Sequence, residues 1–202
     1  MITVRPVTPA DAARLHELFE AASCPCYCRY LHFDGDKNDW LLRCAEGRDQ
    51  NRAELEDAVR TGSDEGLAIV ALDGDAVVGW MKLSPAPAVK KAYEGRFYRN
   101  MPCFRGDRTG VYLLGCALVH PDHRRTGLAT KMVRAAIDLA RERGARAVEA
   151  LPRRPLERVS DEELWTIPAP ALEEAGLRVV GGEDPYPVLR IDLEPRETER
   201  SS

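Results

Sequence analysis

The sequence predicts an α/β protein in which helices flank a central mixed sheet, and three observations support this fold class. A hairpin pattern in the first half of the chain precedes an uninterrupted apolar run, "GVYLLGCALV". A long amphipathic helix pattern follows that run. Further strand patterns stand before the first helix and after the last one. With 202 residues the chain can bury one such core, and we expect residues 1–193 to form a single domain.

The elements of the first half follow from local signals. "ITVRPV" is the predicted first strand. "TPADAARLHELFEAA" is a predicted helix, because Thr8 can cap it, Pro9 suits the first helical position and Asp11 lies three residues after the cap. The irregular segment "SCPCYCRYLHFDGDKND" leads to a second helical region that ends at Gly62. "GLAIVALDGDAVVGWMKLS" predicts a hairpin, with its turn in the segment Asp73-Gly74-Asp75.

The second half begins with residues 85–110, which carry no strong strand pattern and are expected to form a lid or rim. "VYLLGCALV" predicts a central strand covered on both faces. The next helix is expected from about Leu128 to Arg143, with apolar positions three and four apart. "RAVEAL", "LRVV" and "PVLRIDL" predict the remaining strands, and "SDEELWTIPAPALEEAGL" a helix interrupted by prolines. Residues 194–202 form a polar tail that is expected to be disordered.

Composition restricts the possible functions. Hydrophobic residues make up 44% of the chain and charged residues 31%, which is ordinary for a soluble globular protein. The net charge of −4 gives no support to a nucleic-acid partner and suits a cationic or amine substrate. The start lacks a secretory pattern, and the longest apolar run is about ten residues, too short to span a membrane. We therefore expect a cytoplasmic protein with no membrane partner and six reduced cysteines.

The stretch "HPDHRRTGLATKM" joins the predicted central strand to the long helix and allows three interpretations. His120, Asp122 and His123 could bind a metal, but their spacing fits no common site, so no metal is expected. The helix start offers unpaired N–H groups and a positive dipole end beside Arg124 and Arg125, which would suit a pyrophosphate. The Walker and dinucleotide-binding patterns are absent. A plain strand–helix turn is the remaining alternative.

The same stretch resembles the acyl-CoA-binding motif of the GNAT superfamily of N-acetyltransferases. That motif, Gln/Arg-x-x-Gly-x-Gly/Ala, is satisfied by Arg124, Gly127 and Ala129. The apolar strand before it, the helix and strand after it and the late "ALEEAGL" also resemble this family, over most of residues 1–193. The resemblance implies a GNAT fold. A narrower resemblance, through "CPCYCRY" after the first helix, is to a bacterial GNAT branch with a cysteine-rich motif at that place.

The resemblance implies an N-acyltransferase that uses an acyl-CoA, with acetyl-CoA as the expected donor. A primary amine of a small molecule or peptide would attack the thioester directly, and a backbone N–H of the fourth strand would stabilise the oxyanion. A homodimer is possible, as in many members of this superfamily. Backbone amides at the helix start would hold the pyrophosphate, and the end of the fourth strand would pair with the pantetheine arm. The cofactor-binding residues implied in this way are Ala117, Leu118, Val119, Arg124, Arg125, Thr126, Gly127, Leu128, Ala129 and Thr130.

The catalytic groups are harder to assign. Many GNAT enzymes protonate the leaving thiolate with a tyrosine four residues before the glycine of the last helix motif, and that position here is Leu172. Cys116 is the candidate catalytic residue, and Tyr112, Trp165 and Thr166 are alternatives. No acidic residue stands on the predicted fourth strand. The base would therefore act through water from the rim, or the amine would have a low pKa. The candidate rim bases are His32, Asp34 and Asp36, and the candidate acceptor-binding residues are Tyr30, His32 and Trp165.

Two alternatives to catalysis remain open. Without an evident acid and base, the chain could be an acyl-CoA-binding regulatory module. The alternating Cys24, Cys26 and Cys28 could instead form a zinc or redox module, with Cys44 or His32 as a further ligand, although this spacing is not standard for zinc. The same cysteines could also be small packed side chains, or they could contact the substrate.

Overall fold

A computed structural model describes residues 1–157, 159, 164 and 166–194 of the chain. The predicted residues Trp165 and 195–202 lie outside the described residues. The strands are β1 (Ile2–Pro6), β2 (Ala68–Asp73), β3 (Ala76–Pro85), β4 (Val111–Val119), β5 (Ala147–Ala150), β6 (Arg178–Gly181) and β7 (Val188–Asp192). The α-helices are α1 (Leu15–Ala21), α2 (Lys37–Glu46), α3 (Arg48–Thr61), α4 (Lys91–Glu94), α5 (Leu128–Glu142) and α6 (Ala169–Glu174).

All seven strands form one sheet in the order β1-β2-β3-β4-β5-β7-β6. Strands β4 and β5 are parallel, and every other neighbouring pair is antiparallel. Helix α5 connects the two parallel strands, as a parallel crossover requires. The predicted mixed sheet flanked by helices is therefore confirmed.

The first helix begins later than the sequence pattern predicts. Residues Pro9–Arg14 form a 3-10 helix, and regular α-helix begins at Leu15. The predicted capping contact is nevertheless present, because the Thr8 backbone N–H donates to the Asp11 carboxylate at 2.8 Å. Burial alone would raise the Asp11 pKa, but hydrogen bonds from Arg5 and Thr8 outweigh it and lower the pKa to about 2. Asp11 thus ties the first helix to β1 through Arg5.

Helices cover both faces of the sheet and form two apolar cores. Helix α5 buries one stripe, which includes Met132, Val133 and Ala136, against β-strand residues such as Met81. On the opposite face α1 and α3 pack around Trp80, and Phe19 meets its ring edge-on with centroids 6.0 Å apart. Both faces of the sheet are therefore covered by helices, and this packing fixes the position of the connection from β4 to α5.

Strand β4 departs from its predicted burial. Its first half pairs with β5 only from Val111 to Leu114, because β5 ends at Ala150. Residues 115–119 are half-buried rather than covered on both faces. A bulge marks the change, since β4 has one more residue than β3 between the pairs Met81–Ala117 and Leu83–Leu114. The apolar run predicted the strand correctly but not that half of it lines an open cleft.

Candidate functional site

A cleft of about 510 Å³ opens along β4 beyond the end of its pairing with β5, and we call it the splay cleft. The half of β4 without a β5 partner forms one wall, and the first turn of α5 closes one end. The loop after α1 and the start of α6 complete its sides. Its described lining comprises residues 22–24, 26, 116–119, 123–125, 127–130, 164, 166, 168, 170, 171 and 174. The lining is largely apolar, with polar groups concentrated at the α5 end and thiols near the bulge.

The start of α5 is shaped by two left-handed residues. Arg125 has φ of 61° and Gly127 has φ of 76°, so the chain turns sharply before the helix begins. The hydrogen bond that opens the helix runs from the Lys131 N–H to the Gly127 carbonyl at 3.3 Å. The N–H groups of residues 128–130 therefore have no carbonyl partner within the helix. This end of a 15-residue helix carries the positive end of its dipole and can hold an anionic group.

Side chains beside this turn hold its shape. The Arg124 Nε donates to the Val119 carbonyl at 3.2 Å, which ties the turn to the end of β4. The Thr126 hydroxyl donates to the His123 carbonyl at 2.8 Å.

Nine of the ten predicted cofactor-binding residues line the splay cleft, and Thr126 is the exception. Thr130 is also engaged elsewhere, because its hydroxyl donates to the Glu174 carboxylate on α6 at 3.2 Å. Its side chain thus helps to join α5 to α6.

The candidate catalytic residue Cys116 lies in the bulge of β4 and lines the splay cleft. It also forms an isolated antiparallel bridge with Thr166, another lining residue. Leu172, the position that corresponds to the tyrosine of many GNAT enzymes, is fully buried in the apolar core between α5 and the sheet. Tyr112 packs against the same core and is not part of the described lining.

The predicted acceptor residues Tyr30 and His32 lie outside the splay cleft. His32 and Asp34 line a second cleft of about 590 Å³, the rim cleft, together with Glu65, Lys91 and other residues. Burial and the nearby Lys82 lower the His32 pKa to about 4, so the imidazole is neutral at pH 7. The roles of these residues in acceptor binding stay predictions.

Two other rim residues have structural partners. The Tyr30 ring packs 5.5 Å from the Trp40 ring, measured between centroids, and the Lys91 ammonium lies 4.7 Å from the Tyr30 ring centroid. Asp36 caps α2, because its carboxylate accepts from the N–H groups of Asn38 and Asp39. These contacts fix the loop before α2 at the edge of the rim cleft.

Four cysteines, Cys24, Cys26, Cys28 and Cys116, form what we call the thiol cluster. The sulfurs of Cys24 and Cys26 are 3.4 Å apart, and both residues line the splay cleft beside Cys116. Cys28 is almost fully buried and interacts with the Cys26 and Cys116 thiols.

The thiol cluster differs from the zinc module that the sequence left open as an alternative. Within the part of the chain that the structure describes, no group of three or more His, Cys, Asp or Glu side chains is arranged to hold a metal ion. Alternation along an extended strand is also not observed, because Tyr27 and Cys28 have positive φ angles of 44° and 53°. The loop is therefore a compact turn that brings its sulfurs together against β4.

Sequence patterns missed one buried charge near this cluster. Lys82 lies in β3 opposite the bulge, only 1% exposed, and its ammonium donates to the Glu65 carbonyl. Burial lowers the Lys82 pKa to about 8, and the Cys28 and Cys116 thiols are among the titratable groups that act on it. A lone lysine within the apolar strand "AVVGWMKLS" was the available signal.

Comparisons with known proteins agree with this architecture. The chain resembles the PaiA N-acetyltransferase from Thermoplasma acidophilum, solved with coenzyme A, at a TM-score of 0.56 and 10% identity over 96% of this chain and 99% of that one. It also resembles YncA from Salmonella typhimurium, a putative acetyltransferase solved with acetyl-CoA, at a TM-score of 0.54 and 18% identity over 100% and 99% of the two chains.

A third solved structure is AAC(6')-Ib in complex with ribostamycin and coenzyme A. It has a TM-score of 0.55 and 18% identity, over 100% of this chain and 98% of that one. No curated protein matches the sequence significantly. Among the described residues, no helix combines the length and apolar character needed to cross a bilayer.

The sequence itself matches a family model, described as the acetyltransferase (GNAT) family, over residues 36–159. This match covers more than half of the chain, and the mixed sheet flanked by helices agrees with the fold of the solved relatives. The narrower branch with a cysteine-rich motif stays a prediction. The chain therefore belongs to the GNAT family of acetyltransferases.

Proposed function

We propose that the protein transfers an acyl group from an acyl-CoA, with acetyl-CoA as donor, to a primary amine of a small molecule or peptide. The observation that carries this proposal is the continuity of the splay cleft. It joins the anion-binding start of α5 to the open edge of β4, and it ends at the bulge where β5 no longer covers β4. A cytoplasmic location fits such a donor.

The residues present fit a coenzyme A molecule. Its pyrophosphate would accept hydrogen bonds from the N–H groups of residues 128–130, with Arg124 and Arg125 adding positive charge. The pantetheine arm has amide groups, and the edge of Ala117–Val119 can pair with them as a neighbouring strand would. The apolar lining would cover the rest of the arm. The solved relatives PaiA and YncA were determined with coenzyme A or acetyl-CoA bound, which supports an acyl-CoA as the donor.

The chemistry at the bulge would be a direct attack. The amine nitrogen adds to the thioester carbonyl, a backbone N–H of β4 stabilises the oxyanion, and the CoA thiolate leaves. A thiol pKa of about 8.5 makes that thiolate a tolerable leaving group near neutral pH. The amine must arrive neutral, and for a lysine-like amine deprotonation at pH 7 costs roughly 4.6 kcal/mol. An amine of low pKa needs less help, so we expect it to be the better acceptor.

One observation favours a second function, an acyl-CoA-binding regulatory module. Glu174 is the one carboxylate among the described lining residues of the splay cleft, and it is already bound to Thr130 and Arg134. The position at which many GNAT enzymes have a tyrosine that protonates the leaving thiolate is occupied by the buried Leu172. A leucine cannot donate a proton, and the Glu174 carboxylate is already engaged by its two partners.

Turnover decides between the two functions. Purified protein would be mixed with acetyl-CoA and a panel of amines that spans low and high pKa values, and the released CoA thiol would be trapped with a chromogenic disulfide. Acetylated amine formed in step with CoA supports the transferase. Tight acetyl-CoA binding by calorimetry, with no acetylated product across the panel, supports the regulatory module instead. Absence of both binding and turnover refutes both functions.

A further inference from the structure

The Cys24–Cys26 pair is placed where a bound thioester would end. Both side chains line the splay cleft, on the loop that faces the bulge of β4, and Cys116 lines the same cleft from β4 itself. The acyl group of a donor held at the α5 start and along β4 would therefore arrive beside thiols. Direct attack by an amine gives the Cys24 and Cys26 sulfurs no role, so their position calls for another explanation.

The geometry of the pair favours one thiolate. The two sulfurs are 3.4 Å apart, so a single S–H can bridge them. Hydrogen bonding from Cys24 and the Cys28 thiol lowers the Cys26 pKa, whereas its contact with Cys26 and its burial raise the Cys24 pKa. When the pair is singly ionised it holds one shared proton, and Cys26, whose sulfur contacts both the Cys24 and the Cys28 thiols, can accept two S–H hydrogen bonds as the thiolate. A thiolate, rather than a thiol, is the nucleophilic form of cysteine.

We propose that Cys26 is a self-acylation site, at which a bound acyl-CoA transfers its acyl group to the Cys26 sulfur when no amine is present. This inference rests on the proposed donor binding in the splay cleft. It is independent of the direct transfer to an amine. The chemical class of the modifying reagent is an acyl thioester, and the product is an S-acyl cysteine.

The step balances without any further reagent. The Cys26 thiolate forms a bond to the thioester carbonyl carbon, the carbon–sulfur bond to CoA breaks, and the CoA thiolate leaves with the electron pair. The bridging proton of Cys24 no longer has a thiolate partner and is available to the departing sulfur. One thioester replaces another, so the exchange is close to thermoneutral and reversible by free CoA. The acylated fraction of Cys26 would thus follow the ratio of acyl-CoA to CoA.

Cys26 is the preferred sulfur within the thiol cluster. Little of either Cys26 or Cys28 is exposed (6% and 2%), but only Cys26 lines the splay cleft, so a bound thioester is expected to meet Cys26 and not Cys28. Cys24 would then supply the proton that bridges the two sulfurs. Cys44 and Cys103 lie outside the described lining of the splay cleft and provide internal controls.

The test measures the mass of the intact protein after incubation with acetyl-CoA alone, without an amine. We expect one acetyl group per chain, mapped to Cys26 by peptide analysis, removed by neutral hydroxylamine and reversed by excess CoA. Cys26→Ala should lower the initial rate of acetylation at least about tenfold, because the nucleophile is gone. Cys24→Ala should slow it, and Cys24→Ser, which keeps a hydroxyl donor, should restore part of the rate. Cys44→Ala should leave it unchanged.

Acetyl-CoA binding is measured by calorimetry on the same samples, so that each failure has a distinct meaning. Binding without a hydroxylamine-labile adduct overturns the self-acylation site and leaves the proposed function standing. An adduct that forms equally on Cys44 or Cys103, or at the same rate in urea-unfolded protein, also overturns it. Absence of acetyl-CoA binding overturns this inference together with the proposed function. If Cys26→Ala does not fold, the near-isosteric Cys26→Ser replaces it.

Discussion

Replacing Gly127 by glutamate is the sharpest perturbation of the proposed donor site. Gly127 has φ of 76°, and a Cβ built on it meets no atom within 4 Å. The new side chain therefore has room and would extend from the lining of the splay cleft. Its carboxylate would stand beside the place where the pyrophosphate is expected. The change adds like charge to the site while it leaves the surrounding packing untouched.

The expected loss follows from Coulomb's law for a carboxylate placed beside the pyrophosphate. Two unit charges about 4 Å apart repel by about 4 kcal/mol at an effective dielectric constant of about 20, and solvent in the open cleft reduces this. We expect acetyl-CoA affinity to fall at least about 100-fold, which corresponds to about 2.7 kcal/mol. The left-handed backbone adds a folding cost of about 1–2 kcal/mol for any side chain at this position.

Gly144→Glu is the matched control for this change. Gly144 follows the other end of α5, has φ of 73° and also has open space around its Cβ position. The two variants therefore share the backbone strain and the added charge, but only one faces the splay cleft. Thermal unfolding should show a stability loss no greater in Gly127→Glu than in Gly144→Glu, because the helix dipole favours a carboxylate at the α5 start and disfavours one at its end. Calorimetric titration with acetyl-CoA should show a selective loss of binding in Gly127→Glu. Equal acetyl-CoA affinity in the two variants would refute the assigned pyrophosphate site.

Three further predictions concern stability. Glu149→Gln removes the charge of a fully buried carboxylate that is paired with two arginines. Urea titrations should show a free energy of unfolding lower by about 3 kcal/mol. The control Asp138→Asn, in an exposed ion pair, should change it by less than about 0.5 kcal/mol. Asp11→Asn should cost about 2 kcal/mol at pH 7. Because the folded pKa of Asp11, about 2, lies below the unfolded value of 3.8, this deficit should shrink as pH falls from 4 towards 2; a deficit that stays constant down to pH 2 would contradict the assignment. Wild-type stability relative to Lys82→Met should rise between pH 8 and 10.5, since the unfolded lysine binds more protons there, and parallel pH profiles would refute the lowered Lys82 pKa.

Much of the fold was predictable because local signals and burial agree. The glycine stop at Gly62, the hairpin between β2 and β3 and the stripe of α5 are all specified by neighbouring residues, and the structure has each of them. The burial of β4 was not predictable in the same way. An apolar strand has the same sequence whether its neighbour continues beside it or ends, and β5 ends after four residues.

The cofactor side of the site could be predicted from the sequence, whereas the acceptor side could not. The start of α5 has a compact sequence motif. Nine predicted residues, from the end of β4 and the start of α5, line one cleft. The acceptor side depends on which loops come together, and the separation of Tyr30 and His32 from that cleft has no local signal. Likewise, the positive φ angles of Tyr27 and Cys28, which fold the cysteine segment into a compact turn, have no signal in the alternation of its cysteines.

A crystal structure of the protein with acetyl-CoA tests the central claim most directly. We expect pyrophosphate oxygens within hydrogen-bond distance of the N–H groups of residues 128–130. We also expect the pantetheine arm along Ala117–Val119 and the thioester carbonyl at the bulge beside Cys116 and Cys26. Acetyl-CoA bound in the rim cleft, or with its pyrophosphate away from the α5 start, would refute the proposed donor site.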